Sequence, residues 1–130
     1  MYEQVLESVN AMAVLYASPF TAITFGAMPE DNALSMYLAP SNYRARTYDR
    51  GGIVGVAISL NGKHSDQKIL VAAMSEIHKG LSQATEYAED GAWKILNIES
   101  TTPPSYVDTE ENRQYMYAST LTVVVELKGV

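Results

Sequence analysis

The chain has 130 residues, 47% of them hydrophobic, and a net charge of −6 from nine basic and fifteen acidic residues. This length predicts one domain with its own core. The absence of cysteine excludes disulfides, thiolate metal sites and cysteine nucleophiles. The acidic balance argues against a basic surface for nucleic acid.

The first sixteen residues after Met1 predict a helix. Apolar residues recur there at intervals of three and four, which forms one stripe, and Pro19 ends the helix. Glu3 and Glu7 stand where a signal peptide would carry positive charge, and no run is long enough to cross a bilayer. We therefore expect a soluble protein without a membrane partner. The stripe comprises Tyr2, Val5, Leu6, Val9, Met12, Ala13 and Tyr16.

Two short apolar runs follow, at residues 22–28 and 33–38, separated by the sequence PEDN. Proline, acids and asparagine between strand-like runs predict a tight hairpin. Glu30 and Asp31 are adjacent carboxylates, but no apolar pocket is evident that would separate their pKa values for acid–base chemistry. We interpret them as turn residues.

Residues 39–52 are polar and strand-like, and this segment holds three of the four arginines of the chain. Arg44, Arg46, Tyr48 and Arg50 would share one face of an extended strand. We hypothesise that this face contacts an acidic surface on another subunit, since arginine and aromatic residues are enriched at interfaces. The alternative is a solvated hairpin arm. Candidates for the acidic surface are Glu30 and Asp31, or Asp108, Glu110 and Glu111.

The next strand is predicted at residues 53–60. Its larger residues, which we expect in the core, are Val54, Val56, Ile58 and Leu60. The opposite face is shallow because it carries Gly55, Ala57 and Ser59, and we expect a helix to approach it closely. Residues 61–67 then predict a turn into that helix.

The second helix is predicted to begin at an N-cap, Ser65 or Asp66, and to run to about Ser82. Gly80 is interpreted as its C-terminal breaker. The buried stripe of this helix is expected to contain Leu70, Ala73, Met74, Ile77 and Leu81.

Two strands complete the chain. The first is predicted at residues 92–100, with Trp93, Ile95 and Asn97 on one face and Ile98 near its end. The last alternates from Tyr115 to Leu127, with its odd-numbered residues on the more apolar face. The whole chain predicts an α+β fold of two helices on a largely antiparallel sheet, in the order α-β-β-β-α-β-β.

No catalytic, cofactor or metal residues are predicted. Glu76 cannot orient His78, because residues two apart on a helix point in different directions. His64 and His78 are too few for a metal site, and we interpret both as surface or helix-end residues. The sequence RGGIVG lacks the lysine and the following helix of a phosphate-binding loop. A small α+β enzyme or ligand-binding module remains the alternative outside the structural classes.

The stretch DGAWKILNIESTTPPSYVDTEENRQYMYASTLTVVVE combines an aromatic strand, a proline–tyrosine loop, an acidic turn and a strand that begins with aromatics. It resembles the C-terminal half of the small tail-terminator and minor-capsid proteins of long-tailed bacteriophages, especially those of Gram-positive hosts. The predicted element order is also similar to the fold of that family, so the resemblance covers the whole chain. The residues that carry it are Trp93, Ile95, Ile98, Pro104, Tyr106 and the sequence TEENRQYMYAS.

This resemblance implies that residues 1–130 form one tail-terminator-like domain. It also implies a homo-hexameric ring that caps the finished tail tube and presents a surface to the head-side connector protein. The family offers no catalytic residues, and the resemblance assigns ring contacts to the arm at residues 41–52. DNA would pass through the lumen without specific binding, because like charge removes the gain from counterion release. We expect synthesis in a bacterial host from phage or prophage genes, and a place in the virion neck. Another neck subunit or a tail-tube-like joining subunit is the closest alternative.

Overall fold

A computed structural model describes residues 2–17, 19–26, 31–39, 44–46, 52–84, 89, 91–111 and 113–127. The described residues form α1 (Tyr2–Ala17), β1 (Ile23–Phe25), β2 (Ala33–Ala39), β3 (Arg44–Arg46), β4 (Gly52–His64), α2 (Gln67–Ser82), β5 (Trp93–Thr109) and β6 (Tyr115–Leu127). The sheet order is β1-β2-β4-β6-β5, with β3 paired to β4 outside this path. The α+β class is confirmed, and the predicted order α-β-β-β-α-β-β fits once the three-residue β3 is added between β2 and β4.

Both helices pack on the same face of the sheet with most of their predicted stripes, but Tyr16 is 40% exposed and Ala73 is half-buried, so the prediction was wrong for Tyr16. The bounds of α1 agree with the prediction, and α2 ends at Ser82 as expected. Asp66 is the N-cap of α2, because its carboxylate accepts from the backbone N–H groups of Lys68 and Ile69. This contact satisfies donors that have no partner within the helix. The buried stripe residues are Val5, Leu6, Val9, Met12, Ala13, Leu70, Met74, Ile77 and Leu81.

Gly80 does not end α2, so the prediction of a C-terminal breaker was wrong. The helix continues through it to the C-cap Gln83. A Cβ atom at Gly80 would lie 3.1 Å from Cβ and 3.3 Å from the carbonyl oxygen of Tyr16. The glycine therefore lets α1 and α2 approach closely where they cross.

The predicted hairpin between β1 and β2 is also wrong, since these two strands pair in parallel, with Ile23 opposite Leu34. Gly26 adopts a φ of +85° directly after β1, a conformation that favours glycine, and its N–H donates to the carbonyl of Met36. Turn-forming residues mark a connection but do not specify the direction of the next strand. Residues 27–30, including Glu30, lie outside the described residues.

The core face of β4 was predicted correctly, with Val56, Ile58 and Leu60 almost fully buried. Two other expectations for this segment were wrong. The strand continues to His64 instead of turning at residue 61. The helices cover the valine-rich face and not the shallow one: a Cβ atom at Gly62, on the same face as Leu60, would lie only 2.5 Å from Cδ1 of Leu70.

Strand β5 is much longer than predicted and includes the prolines of the predicted proline–tyrosine loop. It lies at the edge of the sheet and pairs with β6, a position where proline is tolerated because one side of the strand needs no donors. Register shifts occur at Ile95/Asn97 and across Pro103 and Pro104. The first shift turns Ile98 into the core and leaves Asn97 half-buried.

Strand β6 alternates as predicted. Its buried residues are Tyr117, Ser119, Leu121, Val123 and Val125, and the residues between them are half-buried.

We predict that Ile58→Ala lowers the free energy of unfolding by about 2–5 kcal/mol, because Ile58 is fully buried and its truncation leaves a cavity. Denaturant titration followed by circular dichroism measures this loss. Thr120→Ala, on the helix-free face of the neighbouring strand, is the matched control. A loss below about 1 kcal/mol for Ile58→Ala would contradict the assignment of this face to the core.

Candidate assembly surface

The described part of the arginine-rich segment, β3, lies beside the start of β4. The short strand β3 pairs antiparallel with β4, which places Arg44 opposite Val54 and Arg46 opposite Gly52. The other predicted residues of this face, Tyr48 and Arg50, lie outside the described residues.

The predicted acidic residues lie at the other end of β4. Asp108 is opposite Met116 at the end of β5, and Glu110 begins the turn into β6, with its N–H donating to the carbonyl of Gln114. Glu111 is exposed in the same turn, and Asp31 is exposed just before β2. We call Asp31, Asp108, Glu110 and Glu111 the acidic end.

Hydrogen bonds from Asn32 hold three connections together at the acidic end. The backbone N–H of Asn32 donates to Oε1 of Gln114 at 2.8 Å, and its side-chain Oδ1 accepts from the N–H of Ser65 at 3.1 Å. The segment before β2, the β4–α2 turn and the β5–β6 turn are thus joined. The structure therefore brings Asp31 close to the group of Asp108, Glu110 and Glu111, which the sequence analysis treats as an alternative acidic surface.

Glu110 is paired within the chain. Nζ of Lys63 lies 3.6 Å from a carboxylate oxygen of Glu110, and Lys63 is only 9% exposed. Asp108 accepts from the neighbouring N–H of Thr109 through one oxygen. Asp108 and Glu111 are therefore the more accessible carboxylates for a neighbouring molecule.

An apolar cleft of about 290 Å³ adjoins the acidic end on the face of the sheet without helices. Tyr37 and Val107 stand at its rim, 43% and 56% exposed, and Ser35 is buried. No local sequence pattern predicts this site, because its lining comes from five separate segments. We call it the sheet cleft; its lining residues are Gly26, Ser35, Tyr37, Asn61, Val107, Met116, Tyr117 and Ala118.

His78 is buried between α2 and the sheet, so its interpretation as a surface or helix-end residue was wrong. Its Nε2 lies 2.7 Å from Oγ of Ser119 and its Nδ1 lies 2.7 Å from Oγ of Ser100. Ser119 donates its own hydroxyl hydrogen to the carbonyl of Leu60. Nε2 must therefore donate to Ser119, and Nδ1 accepts from Ser100. Two serines on facing strands make burial of this helical histidine possible.

The His78 network has two parts of a nucleophilic arrangement, a hydroxyl and a base. The third group, Ser119, is neutral and buried, so it cannot stabilise an imidazolium as a carboxylate would. Burial lowers the pKa of His78. The imidazolium form that nucleophilic catalysis would require is therefore disfavoured as well. The geometry fits a hydrogen-bonded link between α2, β5 and β6.

His64 closes the turn before α2. Its Nδ1 accepts from the N–H of Asp66 at 2.8 Å, and its ring packs edge-on against Phe20 with centroids 5.0 Å apart. Across the described ranges, no three His, Asp or Glu side chains gather as a metal-binding group. No helix in those ranges is long and apolar enough to cross a membrane.

Comparison with solved structures finds the same fold in a chain from the virion of a native gene transfer agent particle. The two chains superpose with a TM-score of 0.58 over 96% of this chain and 91% of the other, at 15% sequence identity. At that identity the likeness is one of fold. No protein-family model matches the chain, and no curated protein matches it either.

We predict that stability falls as the pH drops below about 6.5, the ordinary pKa of histidine. Burial lowers the pKa of His78 in the folded state, so below that pH the unfolded chain binds a proton that the folded chain excludes. Denaturant titrations between about pH 7.5 and about pH 5 should show a shallower fall for His78→Gln than for the unsubstituted chain. Ser75→Ala, on the exposed side of α2, should keep the full slope. Equal slopes for His78→Gln and the unsubstituted chain would contradict the prediction.

Proposed function

We propose that this protein is a structural subunit of a phage-like virion. The observation that carries the proposal is the fold shared, over nearly the full length of both chains, with a component of a gene transfer agent virion. Within that class we propose a tail terminator, which caps the tail tube as a ring and joins the tail to the head-side connector. The resemblance of the segment from β5 to β6 to tail-terminator proteins supports this finer role.

The distribution of charge supports a ring. Strand β4 has 13 residues, which separates its two ends by roughly 40 Å at about 3.3 Å per residue. The arginine-bearing β3 lies at one end and the acidic end at the other. A head-to-tail contact joins one patch of a subunit to a different patch of its neighbour, and repetition of that contact gives a ring when the rotation between subunits closes. Opposite charges at the two ends of β4 would make two such patches complementary.

The proposed partners are five further copies in a hexamer, a tail tube protein and a head-side connector protein, all in the neck of the virion. DNA would slide through the lumen of an acidic ring without specific binding, since it gains no counterion release there. Another neck subunit or a tail-tube-like joining subunit would share the ring and differ in its axial partners. Binding to purified tails that end in an open tube distinguishes these roles. Only a terminator is expected to bind each open end as a single ring.

An enzyme is the alternative from a different class, and among the described residues the Ser100–His78 contact is the observation in its favour. We propose a non-enzymatic role because the buried Ser119 replaces the carboxylate that would orient and stabilise a catalytic histidine. Hydrolysis of an activated ester that is abolished by Ser100→Ala would reverse this conclusion.

The direct test is negative-stain imaging of the purified protein at high and low concentration, alone and with open-ended tails. We expect six-fold rings at high concentration and one ring on each tail end. A protein that forms no rings under either condition would contradict the proposed function.

The role of the arm is tested by charge reversal. Arg44→Glu combined with Arg46→Glu should block ring formation, because like charges across a desolvated contact cost several kcal/mol at every junction. The monomer should stay folded, and higher salt should partly restore assembly by screening the repulsion. Light scattering and circular dichroism on the same sample separate loss of assembly from loss of folding.

Lys79→Glu combined with Lys94→Glu is the matched control, because both lysines are exposed and the change in net charge is the same. This control should assemble normally. Normal assembly of the Arg44→Glu, Arg46→Glu variant would show that the arm is not part of the interface. It would not contradict the proposed ring.

A further inference from the structure

A small apolar notch lies between α1 and β1. It has a volume of about 210 Å³ and is lined by Glu3, Leu6, Glu7 and Phe25. Leu6 is buried and Phe25 is 49% exposed, so an aliphatic and an aromatic side chain form its walls. Glu3 and Glu7 are exposed and share one side of the helix, because they lie four residues apart. We call this site the α1 notch.

The lining of the α1 notch suits the side chain of an arginine. A guanidinium is planar, sits on an apolar stem and donates hydrogen bonds to carboxylates in a fixed geometry. It is also attracted to the face of an aromatic ring such as that of Phe25. An arginine would therefore match the walls and the charge of the notch together.

The stability of α1 accounts for only one of the two carboxylates. Glu3 lies in the first turn, where the helix dipole favours negative charge. Glu7 lies a turn further, where this effect has faded, and like charges four residues apart disfavour a helix. The ion pair formed within the described residues joins Lys63 to Glu110 and leaves both carboxylates of the notch unpaired. A cation from another molecule would offset their repulsion.

Arg113 is an exposed cation in the turn between β5 and β6. Its φ of +65° lies in the left-handed region, which favours glycine. Its N–H closes the turn by donating to the carbonyl of Glu110 at 2.9 Å, a bond that any residue except proline could make. Because the side chain is exposed, packing within the chain does not explain an arginine at this position. Contact with another molecule would explain it.

We propose that the α1 notch receives Arg113 of a second copy of this chain, with the guanidinium between Glu3 and Glu7 and against the ring of Phe25. The inference rests on the proposed ring and adds a second contact to its junction. Charge complementarity identifies the occupant, since an exposed arginine on one copy meets two exposed carboxylates on the other.

The positions of the two groups agree with the proposed head-to-tail contact. Nε1 of Trp93 donates to Oε1 of Gln4 at 3.1 Å, which ties the start of α1 to the first residue of β5. Trp93 lies in one row with Leu127 and Gly52, at the end of the sheet that carries β3. Arg113 belongs to the turn at the acidic end. A junction that brings β3 to the acidic end of a neighbour would thus also bring the α1 notch towards Arg113.

Arg113 cannot occupy the notch of its own chain. Phe25 lies in one row with Ser119, three strand spacings away, and Tyr115 lies four residues further along β6. These two displacements combine to roughly 20 Å, and Arg113 is two residues beyond Tyr115. Occupancy of the notch by Arg113 therefore requires another subunit.

Charge reversal tests both sides of the contact. We expect Arg113→Glu and Glu7→Arg each to raise the concentration for half-assembly at least about tenfold, because each brings like charges together in a desolvated contact. The two substitutions combined in one chain should recover most of this loss, since the pair is formed again with its signs exchanged. Losses that simply add in the combined variant would overturn the proposal.

Two exposed residues of α2 give the matched controls. Lys79→Glu and Glu76→Arg change the net charge by the same amounts as Arg113→Glu and Glu7→Arg, and both positions lie outside the α1 notch. Both control variants should assemble normally. Circular dichroism on every sample verifies that the chains are folded.

Arg113→Gly distinguishes a role in binding from a role in folding. Glycine accommodates the positive φ, so the denaturant midpoint of the monomer should not fall, whereas assembly should still weaken. Normal assembly of Arg113→Gly would overturn the proposal.

Carbodiimide coupling, which joins an amine to a carboxylate in contact with it, detects the pair directly. In the Arg113→Lys variant, position 113 should form an amide with Glu3 or Glu7 of another chain, identified by mass spectrometry in covalent dimers. Normal rings from Arg113→Glu without any such amide would overturn the notch contact and leave the ring in place. An unsubstituted chain that never forms rings would contradict both proposals.

Discussion

The pairing of β4 with β6 is the constraint on which the rest of the structure depends. Thirteen consecutive pairs join the two strands without a shift of register, from Gly52–Leu127 to His64–Tyr115. With no bulge to exchange the two faces, the same alternate residues of both strands stay on the helix-covered face along the whole pair. Both helices can therefore pack on one face, while the other stays free for contacts with other molecules.

The same two strands set the positions of the charged groups. β4 carries β3 at its first residues and leads at its last into the turn that Asn32 ties to the acidic end. A rigid strand between the two groups keeps opposite charges on one chain from neutralising each other. The free face near one end is hollow because Ala118 is small and because Val107 and Tyr37 stand on either side. The separation of the charged groups and the position of the cleft thus both depend on the long pairing of β4 with β6.

The sequence was sufficient wherever a local pattern decides the structure. The stripes of α1 and α2, the Asp66 cap and the alternation of β6 all follow from contacts within a few residues. Features that depend on distant partners were not predictable. Gly80 faces α1, His78 is satisfied by serines on β5 and β6, and β1 pairs in parallel with β2. The sheet cleft was missed for the same reason, whereas the acids near it were identified as candidates from composition alone.

The position of β6 in the chain also bears on the order of folding. Its partners across the sheet are β4, more than fifty residues earlier, and β5, joined to it by the short turn at Glu110. Close sequence neighbours find each other fastest, so the β5–β6 hairpin should form before β6 docks on β4. During synthesis, β4 leaves the ribosome several seconds before β6, at about 5–20 residues per second. In that interval the edge of β4 that β6 later covers is open to pairing with other nascent chains.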